Sequence, residues 1–319
     1  MTAVNARRYT RRVSQPSSKL DVIGLGENSI DRVLIVPHLP GAADAPPKMS
    51  IDAPVRSCGG QVATTMAACA ALGLRAAYAG TIGDDDDGRF VRETLVSTLV
   101  DVSYLHVAQA PTRSATILVE ARTGERTVLW SRDARLSMTA AQVDAIDVAG
   151  ARLIHVDDTD IAASIRLARA ARRAGRMVTT DIDASGHDVR ELLKLATHPI
   201  LSEQGLAALI GERDPERGLR ALRRQCDGIL CVTLGAQGAM ALDGDILVTS
   251  PGVTVTAIDT TGAGDVFRAG FIKALLDGLS LQDILRFANA TAAISCTRMG
   301  AISGVPTLSD VGAIARYPL

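Results

Sequence analysis

The chain has 319 residues, 47% of them hydrophobic, which is enough to build a substantial core as one large domain or two small ones. The formal net charge is −1, so no overall positive field attracts nucleic acid or an anionic membrane surface. Aromatic residues make up only 3% of the chain and offer few platforms for base stacking, and no apolar run approaches the ~20 residues of a membrane span.

The cysteines and the N-terminal segment bear on the compartment and on the domain boundary. Five cysteines without a C-x-x-C pair suit reduced thiols better than a disulfide framework, which predicts a cytoplasmic protein. Residues 1–18 contain four arginines among polar residues and no apolar core. We expect a disordered tail there, followed by one folded domain over 19–319.

The first half of the chain mixes strands and helices. Residues 20–26 have the pattern of a buried strand, and "CGGQVATTMAACAALG" (58–73) that of a tightly packed helix opening on two glycines. A strand over 75–83 and a helix over 87–99 follow. The remaining expected strands are only partly buried, at 31–36, at 48–56 and in a hairpin, 113–120 and 126–131, around the turn "ARTG".

The second half alternates strand and helix more regularly. Strands are expected at 152–156, 176–181, 198–201, 228–234 and 239–242, with helices between most of them, as at 160–174. This alternation predicts an α/β protein with a parallel sheet covered on both faces. The partly exposed strands from about 31–58 and 113–131 interrupt the alternation, and we expect them to form a small separate sheet such as a lid.

Two glycine-rich motifs for nucleotides can be set aside. "GLGENS" (24–29) is close to a dinucleotide fingerprint, but a β-rich segment broken by Pro37 and Pro40 follows it, where that fingerprint needs a helix. Ser29 also replaces the third glycine. No lysine follows a glycine, so a Walker loop is absent as well.

The stretch "DTTGAGDVF" (259–267) carries the chemistry. Gly262, Ala263 and Gly264 form a turn before an apolar helix, and helix N-termini with bare N–H groups favour anions. Asp265 follows directly. A carboxylate that only capped the helix would be out of place beside a bound phosphate, because both groups are negatively charged. A carboxylate kept ionised there could instead accept a proton from a substrate hydroxyl that attacks phosphorus, because phosphoryl transfer needs little beyond positioning and charge stabilisation.

Several motifs in chain order resemble one family. "DTTGAGDVFRAGF" resembles the C-terminal signature of the ribokinase-like sugar kinases, also called the PfkB family. "CGGQVATTMAACAALG", "GTIGDDDDGRF" and "CVTLGAQGAM" resemble the family's glycine-pair motif, its G-D-D-x-x-G segment and its nucleotide-side strand and turn. The matches run from about residue 20 to 310. The resemblance implies a three-layer α/β/α sandwich with a mostly parallel central sheet and a β-rich lid over the sugar.

The resemblance also implies roles for individual residues. Asp265 would be the general base, and the amides of Gly262, Ala263 and Gly264 would form an anion hole. The sugar would be bound by Asp31, by close approach of the backbone at Gly59 and Gly60, and by Thr64, which stands where the family usually has an Asn. ATP would be bordered by Thr233, Gly235, Gly238 and Asn289. The implied partners are a sugar, ATP and Mg²⁺, with a homodimer formed through the lid as a further expectation.

The family often carries an N-x-x-E motif that organises magnesium, and this chain departs from it. Ser202 and Gly205 of "LSEQGLAALIG" stand where Asn and Glu are usual. Glu203, Asp181 and Asp183 are the candidates to take the place of the missing Glu. The departures, with "SEQGLAALIG" and "FANATAAISCTRMGAISGVP", resemble the branch of the sulfofructose kinases and, more distantly, of ketohexokinase.

The sequence therefore predicts an ATP- and Mg²⁺-dependent kinase that phosphorylates a primary hydroxyl of a small sugar, with a ketose as one candidate. A nucleoside kinase is the alternative among enzymes, disfavoured by the scarcity of aromatic residues. A non-catalytic sugar or nucleotide sensor is the alternative from another class, and Gly205 in place of Glu is the feature that favours it. The acidic run Asp84–Asp87 is interpreted as a solvated turn that caps a helix.

Overall fold

The computed structural model describes residues 19–41, 48–183 and 186–315, and the expected N-terminal tail lies outside them. Most of the chain forms one nine-stranded sheet between two layers of helices, and a four-stranded sheet stands apart from it. The strands are β1 (Leu20–Leu25), β2 (Ser29–Val36), β3 (Val55–Gly59), β4 (Ala76–Gly83), β5 (Asp101–Ala108), β6 (Ser114–Glu120), β7 (Arg126–Ser131), β8 (Ala151–Asp157), β9 (Met177–Ile182), β10 (His198–Ser202), β11 (Leu230–Thr233), β12 (Ala239–Asp243) and β13 (Ile246–Ser250).

Helices cover both faces of the large sheet. They are α1 (Gln61–Ala71), α2 (Asp86–Ser97), α3 (Ala140–Asp144), α4 (Ile161–Arg173), α5 (His187–Leu195), α6 (Glu203–Ile210), α7 (Pro215–Arg223), α8 (Ala263–Leu276), α9 (Leu281–Ser295) and α10 (Leu308–Ala315). One buried apolar cluster joins the sheet to α1, α2, α8, α9 and α10, and a second joins it to α3 through α7. Among the described residues, no helix is both long and apolar enough to cross a membrane.

The large sheet has the order β13-β12-β11-β10-β9-β8-β1-β4-β5. It is parallel except at one edge, where β12 pairs antiparallel with β11 and with β13. Strands that run parallel end at the same edge, and in open α/β sheets this carboxyl edge is where ligands bind. The predicted parallel sheet between two helical layers is confirmed.

The small sheet has the order β3-β2-β6-β7 and is built from the partly exposed strands that the sequence sets apart. Asp87 links this sheet to α2, since its carboxylate oxygens accept from Arg32 at 2.5 Å and from Arg56 at 2.6 Å. Asp85 caps α2 by accepting from the Gly88 N–H at 2.8 Å. The acidic run therefore caps a helix as expected, and it also ties the small sheet to the large domain.

Two details of the predicted strands are wrong. The chain has no regular structure over 48–54, and β3 begins only at Val55. Pro54 supplies the physical reason, because a proline lacks the N–H that continued pairing with β2 would need. The two edge strands of the large sheet, β5 and β13, were not predicted.

Candidate active site

The acidic side chains converge at the carboxyl edge of the large sheet. Asp157 ends β8 directly beside Asp181 of β9 in the strand register, and Gly26 follows the neighbouring strand β1. The Asp157 carboxylate accepts from the N–H groups of Glu27 at 2.6 Å and Thr159 at 3.0 Å. Burial raises the pKa of Asp157 well above its ordinary value. Asp157 thus holds the connection between β1 and β2 in place.

The glycine turn before α8 is locked from both sides. Gly262 has φ +76°, and a Cβ there would lie 2.8 Å from the Ala301 Cβ and 3.4 Å from the Thr64 Cγ2. Only glycine fits such a position without displacing a neighbour. Asp259 fixes the turn by accepting from the Thr261 N–H at 2.9 Å and from the Gly300 N–H at 2.9 Å.

The turn presents some of its amides outward but not all. The Ala263 N–H donates to the Thr260 carbonyl at 3.2 Å, so this amide is engaged within the turn. The Val266 N–H makes the first bond of the helix, to Gly262. Gly264 and Asp265 lie between these two residues, in the first turn of α8, where amides have no acceptor within the helix. The Ala263 amide is therefore less available to an anion than those of Gly264 and Asp265, and the anion hole stays a prediction.

Asp265 is partly buried in the first turn of α8 and borders a cavity of about 230 Å³. Its carboxyl group interacts with that of Asp181. Arg268, one turn further along α8, places its Nη2 2.5 Å from Asp181 Oδ1. Burial is the largest cause of a raised pKa at Asp265, the neighbouring Asp181 adds to it, and Arg268 opposes it.

The cavity lies between the small sheet and the carboxyl edge of the large one. Polar side chains form one part of its wall, and an apolar part comes from the small sheet and from Ala301. The lining residues are Glu27, Ser29, Asp31, Gly60, Gln61, Arg113, Ala115, Ile117, Val128, Trp130, Thr261, Gly262, Asp265 and Ala301. Carboxylates and an apolar face on one cavity suit a small ligand that has hydroxyl groups and a C–H face.

Asp31 and the two glycines meet at this cavity. The Asp31 Oδ1 accepts from Ser29 Oγ at 2.7 Å, and burial raises the pKa of Asp31 although this hydrogen bond opposes it. A Cβ on Gly59 would lie 2.5 Å from Asp31 Oδ2, and one on Gly60 would lie 2.5 Å from the Asn28 Cα. Asp31, Gly60 and Asp265 are therefore brought to one cavity, with Gly59 packed against Asp31.

Thr64 does not reach the cavity. It is fully buried within α1 and packs against the glycine turn, and its expected contact with the sugar stays a prediction. The neighbouring Gln61 borders the cavity instead, and its Nε2 donates to Asp183 Oδ2 at 2.6 Å. The register of the first turn of α1, which the sequence pattern leaves undefined, decides which residue faces the ligand.

Several residues at this site were missed by the sequence analysis. Arg113 forms an ion pair with Glu27, and its guanidinium lies 5.4 Å from the centre of the Trp130 ring. Asp157 and Arg268 were missed as well. A signal existed for the last two, since Asp157 follows a buried strand in "LIHVDD" and Arg268 lies one helical turn beyond Asp265.

The residues expected at the nucleotide lie around the end of β11. Gly235 has φ +56° and open space where a Cβ would stand, whereas a Cβ on Gly238 would lie 2.2 Å from the Ser250 carbonyl oxygen. Thr233 ends β11. Asn289 is buried, and its Nδ2 donates to the carbonyls of Ser250 at 3.0 Å and Pro251 at 3.1 Å. Asn289 thus holds the segment against which Gly238 packs.

The candidates for holding magnesium do not form one set of ligands. Glu203 is exposed in the first turn of α6, Asp181 is buried against Arg268, and Asp183 accepts from Gln61. Within the described ranges, no group of three acidic, histidine or cysteine side chains could hold a metal ion. The described residues therefore do not supply a set of protein ligands for Mg²⁺.

The structure explains why glycine stands at position 205. Ser202 caps α6 by accepting from the Gly205 N–H at 3.0 Å, and a Cβ on Gly205 would lie 2.8 Å from the Ile182 carbonyl oxygen. The start of α6 is packed too closely against the end of β9 for a side chain to fit without a shift. The Glu that the resemblance implies at this position is excluded by packing against backbone.

The ribokinase-like architecture is a sheet covered by helices on both faces, with a smaller sheet beside it. The smaller sheet lies next to a glycine turn that opens a helix, as it does here. A family model described as the pfkB family carbohydrate kinases matches residues 19–308. The chain therefore belongs to the pfkB family of carbohydrate kinases, and the predicted family and fold are confirmed. The resemblance to the sulfofructose kinase branch stays a prediction.

Individual relatives agree on the family and differ in their acceptors. The chain is 31% identical over 294 residues to an ATP-dependent ribose-1-phosphate kinase of Halopiger xanaduensis, covering 92% of this chain and 97% of the relative. It is 30% identical over 277 residues to a fructokinase of Klebsiella pneumoniae, covering 79% and 90%. The structure of Arabidopsis thaliana ribokinase complexed with ribose and ATP matches the fold with a TM-score of 0.83, 22% identity and coverage of 94% and 99%.

Proposed function

We propose that this protein is a cytoplasmic kinase that transfers the γ-phosphoryl group of ATP to a hydroxyl of a small sugar, with a primary hydroxyl of a ketose as one candidate. The observation that carries the proposal is Asp265, which borders the cavity at the N-terminus of α8, directly after the glycine turn. A carboxylate at this place can accept a proton beside the site where charge on a phosphoryl group develops.

The proposed reaction is an in-line transfer. The acceptor hydroxyl loses its proton to Asp265, its oxygen forms the new bond to the γ-phosphorus, and the bond from that phosphorus to the bridging oxygen of ADP breaks. The positive end of α8 and the amides of its first turn, with Gly262 and Gly264 shaping the turn, stabilise negative charge on the transferring group. Asp31 binds sugar hydroxyls, and Gly59 and Gly60 allow the chain to pass close to the sugar.

The small sheet is proposed as the lid. Val128, Trp130 and Ile117 form an apolar wall toward which a sugar can turn its C–H face, and excluding water there would favour transfer to the sugar over hydrolysis. On the other side of the glycine turn, Thr233, Gly235 and Gly238 are proposed to border the nucleotide, with Asn289 supporting them through the Ser250–Pro251 backbone.

A nucleoside acceptor is the second candidate. The side chain of Trp130 is 64% exposed and borders the cavity, so it offers a nucleobase a platform for stacking. This observation weakens the argument from the low aromatic content, because one aromatic ring in the right place is sufficient. Acceptors of both kinds therefore belong in the test of function.

Release of ADP from MgATP is expected with at least one acceptor in a panel of ketoses, aldoses and nucleosides, measured by a coupled assay. Magnesium is proposed to arrive as part of the MgATP substrate, held by phosphates and water, as the ion prefers. Excess EDTA should therefore abolish turnover and added Mg²⁺ should restore it. Turnover that is undiminished in EDTA would contradict MgATP as the substrate, and no acceptor-dependent ADP release would favour the sensor.

We also propose that the lid forms a homodimer contact. All six residues of β7 are exposed at the edge of the small sheet, and Leu129 is 57% exposed on the face opposite to Val128 and Trp130. An exposed apolar edge strand is a site for pairing with another chain. Sedimentation should show a dimer of the wild-type protein, and Leu129→Lys should weaken it. The control Ile246→Lys, at a similarly exposed position on β13, should leave the dimer intact. A wild-type monomer at all concentrations would contradict the proposed contact.

A further inference from the structure

A buried ion pair lies directly behind Asp265. Arg268 is 3% exposed and Asp181 is 1% exposed, and Nη2 of the former is 2.5 Å from Oδ1 of the latter. Arg268 follows Asp265 by one turn of α8, whereas Asp181 ends β9, so the pair joins the helix to the carboxyl edge of the sheet. A buried charge is tolerated only with a partner, and each of these two groups is the partner of the other.

A second interaction, between Asp181 and Asp265, connects the ion pair to the cavity. The carboxyl groups of Asp181 and Asp265 interact, and the interaction raises the pKa of Asp265 and lowers that of Asp181, as expected if a proton on Asp265 is shared with Asp181. Burial raises the pKa of Asp181 to about 7 and Arg268 opposes that rise, whereas the pKa of Asp265 is raised well above its ordinary value, so the shared proton belongs on Asp265. The three side chains form a chain in the order Arg268, Asp181, Asp265, and the last of them borders the cavity.

The glycine turn accommodates this arrangement. A Cβ on Gly264 would lie 2.9 Å from Nη1 of Arg268, so the guanidinium lies directly beneath the turn. A residue with a side chain at this position would push against Arg268. Gly264 therefore does more than free the amides of the turn, because it leaves room for the cation that holds Asp181.

We propose that Asp181, paired with Arg268, is a positioning residue for the general base: its carboxylate accepts a hydrogen bond from Asp265 once Asp265 has taken the proton of the acceptor hydroxyl. This inference rests on the proposed function. The proton leaves the sugar oxygen, binds a carboxylate oxygen of Asp265 and is shared with Asp181, whose charge Arg268 continues to balance. A neighbouring carboxylate stabilises the protonated form of Asp265 and makes it a stronger base than an isolated aspartate.

The other charged groups around the pair do not reverse this conclusion. Asp183 and Asp158 face the pair from the ends of β9 and β8, and their negative charges act in the same direction as the charge of Asp181. His155, from β8, is buried, and burial together with the charge of Arg268 lowers its pKa to about 3, so it stays neutral. Arg268 is the cation that opposes them.

The test is the pH dependence of kcat/KM for the acceptor at saturating MgATP. The base must be ionised, so activity rises with pH through the pKa of the pair. Asp181→Asn removes the group that raises the pKa of Asp265, and the acid limb should move to lower pH by about one unit or more with a lower plateau. Arg268→Met removes the opposing cation, and the limb should move to higher pH; Arg268→Lys should restore it toward wild type.

Each single variant leaves a buried charge without its partner, so the double variant Asp181→Asn/Arg268→Met provides the folded reference. Asp181 raises the pKa of Asp265 more strongly than Arg268 lowers it, and the double variant should shift the limb to lower pH by less than Asp181→Asn does. Protonation of ATP also affects the pH profile, but it does so equally in all variants and leaves the comparison between them unchanged. Limbs that coincide with wild type in the variants that fold would overturn the inference, even if turnover falls.

Failure of this inference is distinguishable from failure of the proposed function. If Asp265→Asn keeps near-normal turnover, Asp265 is not the base and the proposed function is wrong in its mechanism. If Asp265→Asn is inactive while the Asp181 and Arg268 variants keep the wild-type acid limb, the base assignment stands and the positioning role is wrong.

Discussion

Asp265→Asn is expected to lower kcat by about 10²–10⁴-fold, the range typical of general-base catalysis, which corresponds to roughly 3–5 kcal/mol at about 1.4 kcal/mol for each tenfold change. The amide is nearly isosteric and can still donate a hydrogen bond to Asp181, so the turn around Gly262 should be retained. At a pH where Asp265 is ionised, the substitution removes a negative charge next to the phosphates, and the affinity for ATP should therefore be unchanged or higher.

Asp31→Asn is the matched control, because it makes the same chemical change at another carboxyl group of the same cavity. Asp31 is proposed to bind sugar equally in the ground state and in the transition state. Its replacement should therefore raise the KM for the acceptor more than it lowers kcat. The two variants separate a group that acts in proton transfer from a group that acts in binding.

Steady-state turnover and calorimetric ATP binding on both variants check this pair of expectations. If Asp265→Asn turns over within about threefold of wild type, far below the usual contribution of a base, while ATP still binds, then Asp265 only caps α8. If instead Asp31→Asn lowers kcat and leaves KM unchanged, its assignment to ground-state sugar binding is wrong.

Gly60→Ala is expected to cause a large loss of stability. Gly60 has φ +98°, and its Cβ would lie 2.5 Å from the Asn28 Cα and 2.7 Å from the Glu27 carbonyl oxygen. The positive φ costs about 1–2 kcal/mol for a residue with a side chain, and overpacking against backbone adds about 1–3 kcal/mol. The total is a sizeable part of the 5–15 kcal/mol by which proteins are typically stable.

Gly73→Ala separates the two contributions. Gly73 has φ +84°, close to the value at Gly60, but no atom lies within 4 Å of where its Cβ would stand. This variant should show the cost of the backbone conformation alone. The thermal midpoint measured by calorimetry should fall clearly further for Gly60→Ala than for Gly73→Ala. Equal shifts would mean that the connection between β1 and β2 moves easily to make room for the Cβ, and that close packing at Gly60 does not shape the cavity.

The motifs of the sequence located most of the candidate site. The glycine turn and Asp265 were predicted from a local pattern, and Asp31 and the glycine pair from the family resemblance; the structure brings Asp31, Gly60 and Asp265 to one cavity. Each of these signals is short-range, because a turn with positive φ or a carboxylate at a helix start is specified by neighbouring residues. The family resemblance added the order in which such signals follow one another.

Other parts of the site depend on contacts between residues distant in sequence. The sequence made Asp181 a candidate magnesium ligand, whereas the structure places it against Arg268, 87 residues further along the chain. Thr64 was predicted to contact the sugar; the docking of α1 against the glycine turn buries Thr64, and Gln61 borders the cavity. No pattern within either segment carries that information.

The sequence by itself determined that this protein has a parallel α/β sheet with a separate small sheet, and it placed the candidate site at the turn before Asp265. Those features follow from hydrophobic periodicity and from the backbone demands of glycine, both of which are local. The tertiary structure alone decided that Arg268 and Asp181 lie behind Asp265, that Asp157 fixes Glu27, and that the backbone of Ile182 excludes a side chain at Gly205. These contacts arise where separate strands and helices meet, and only packing of the whole chain sets the distances between them.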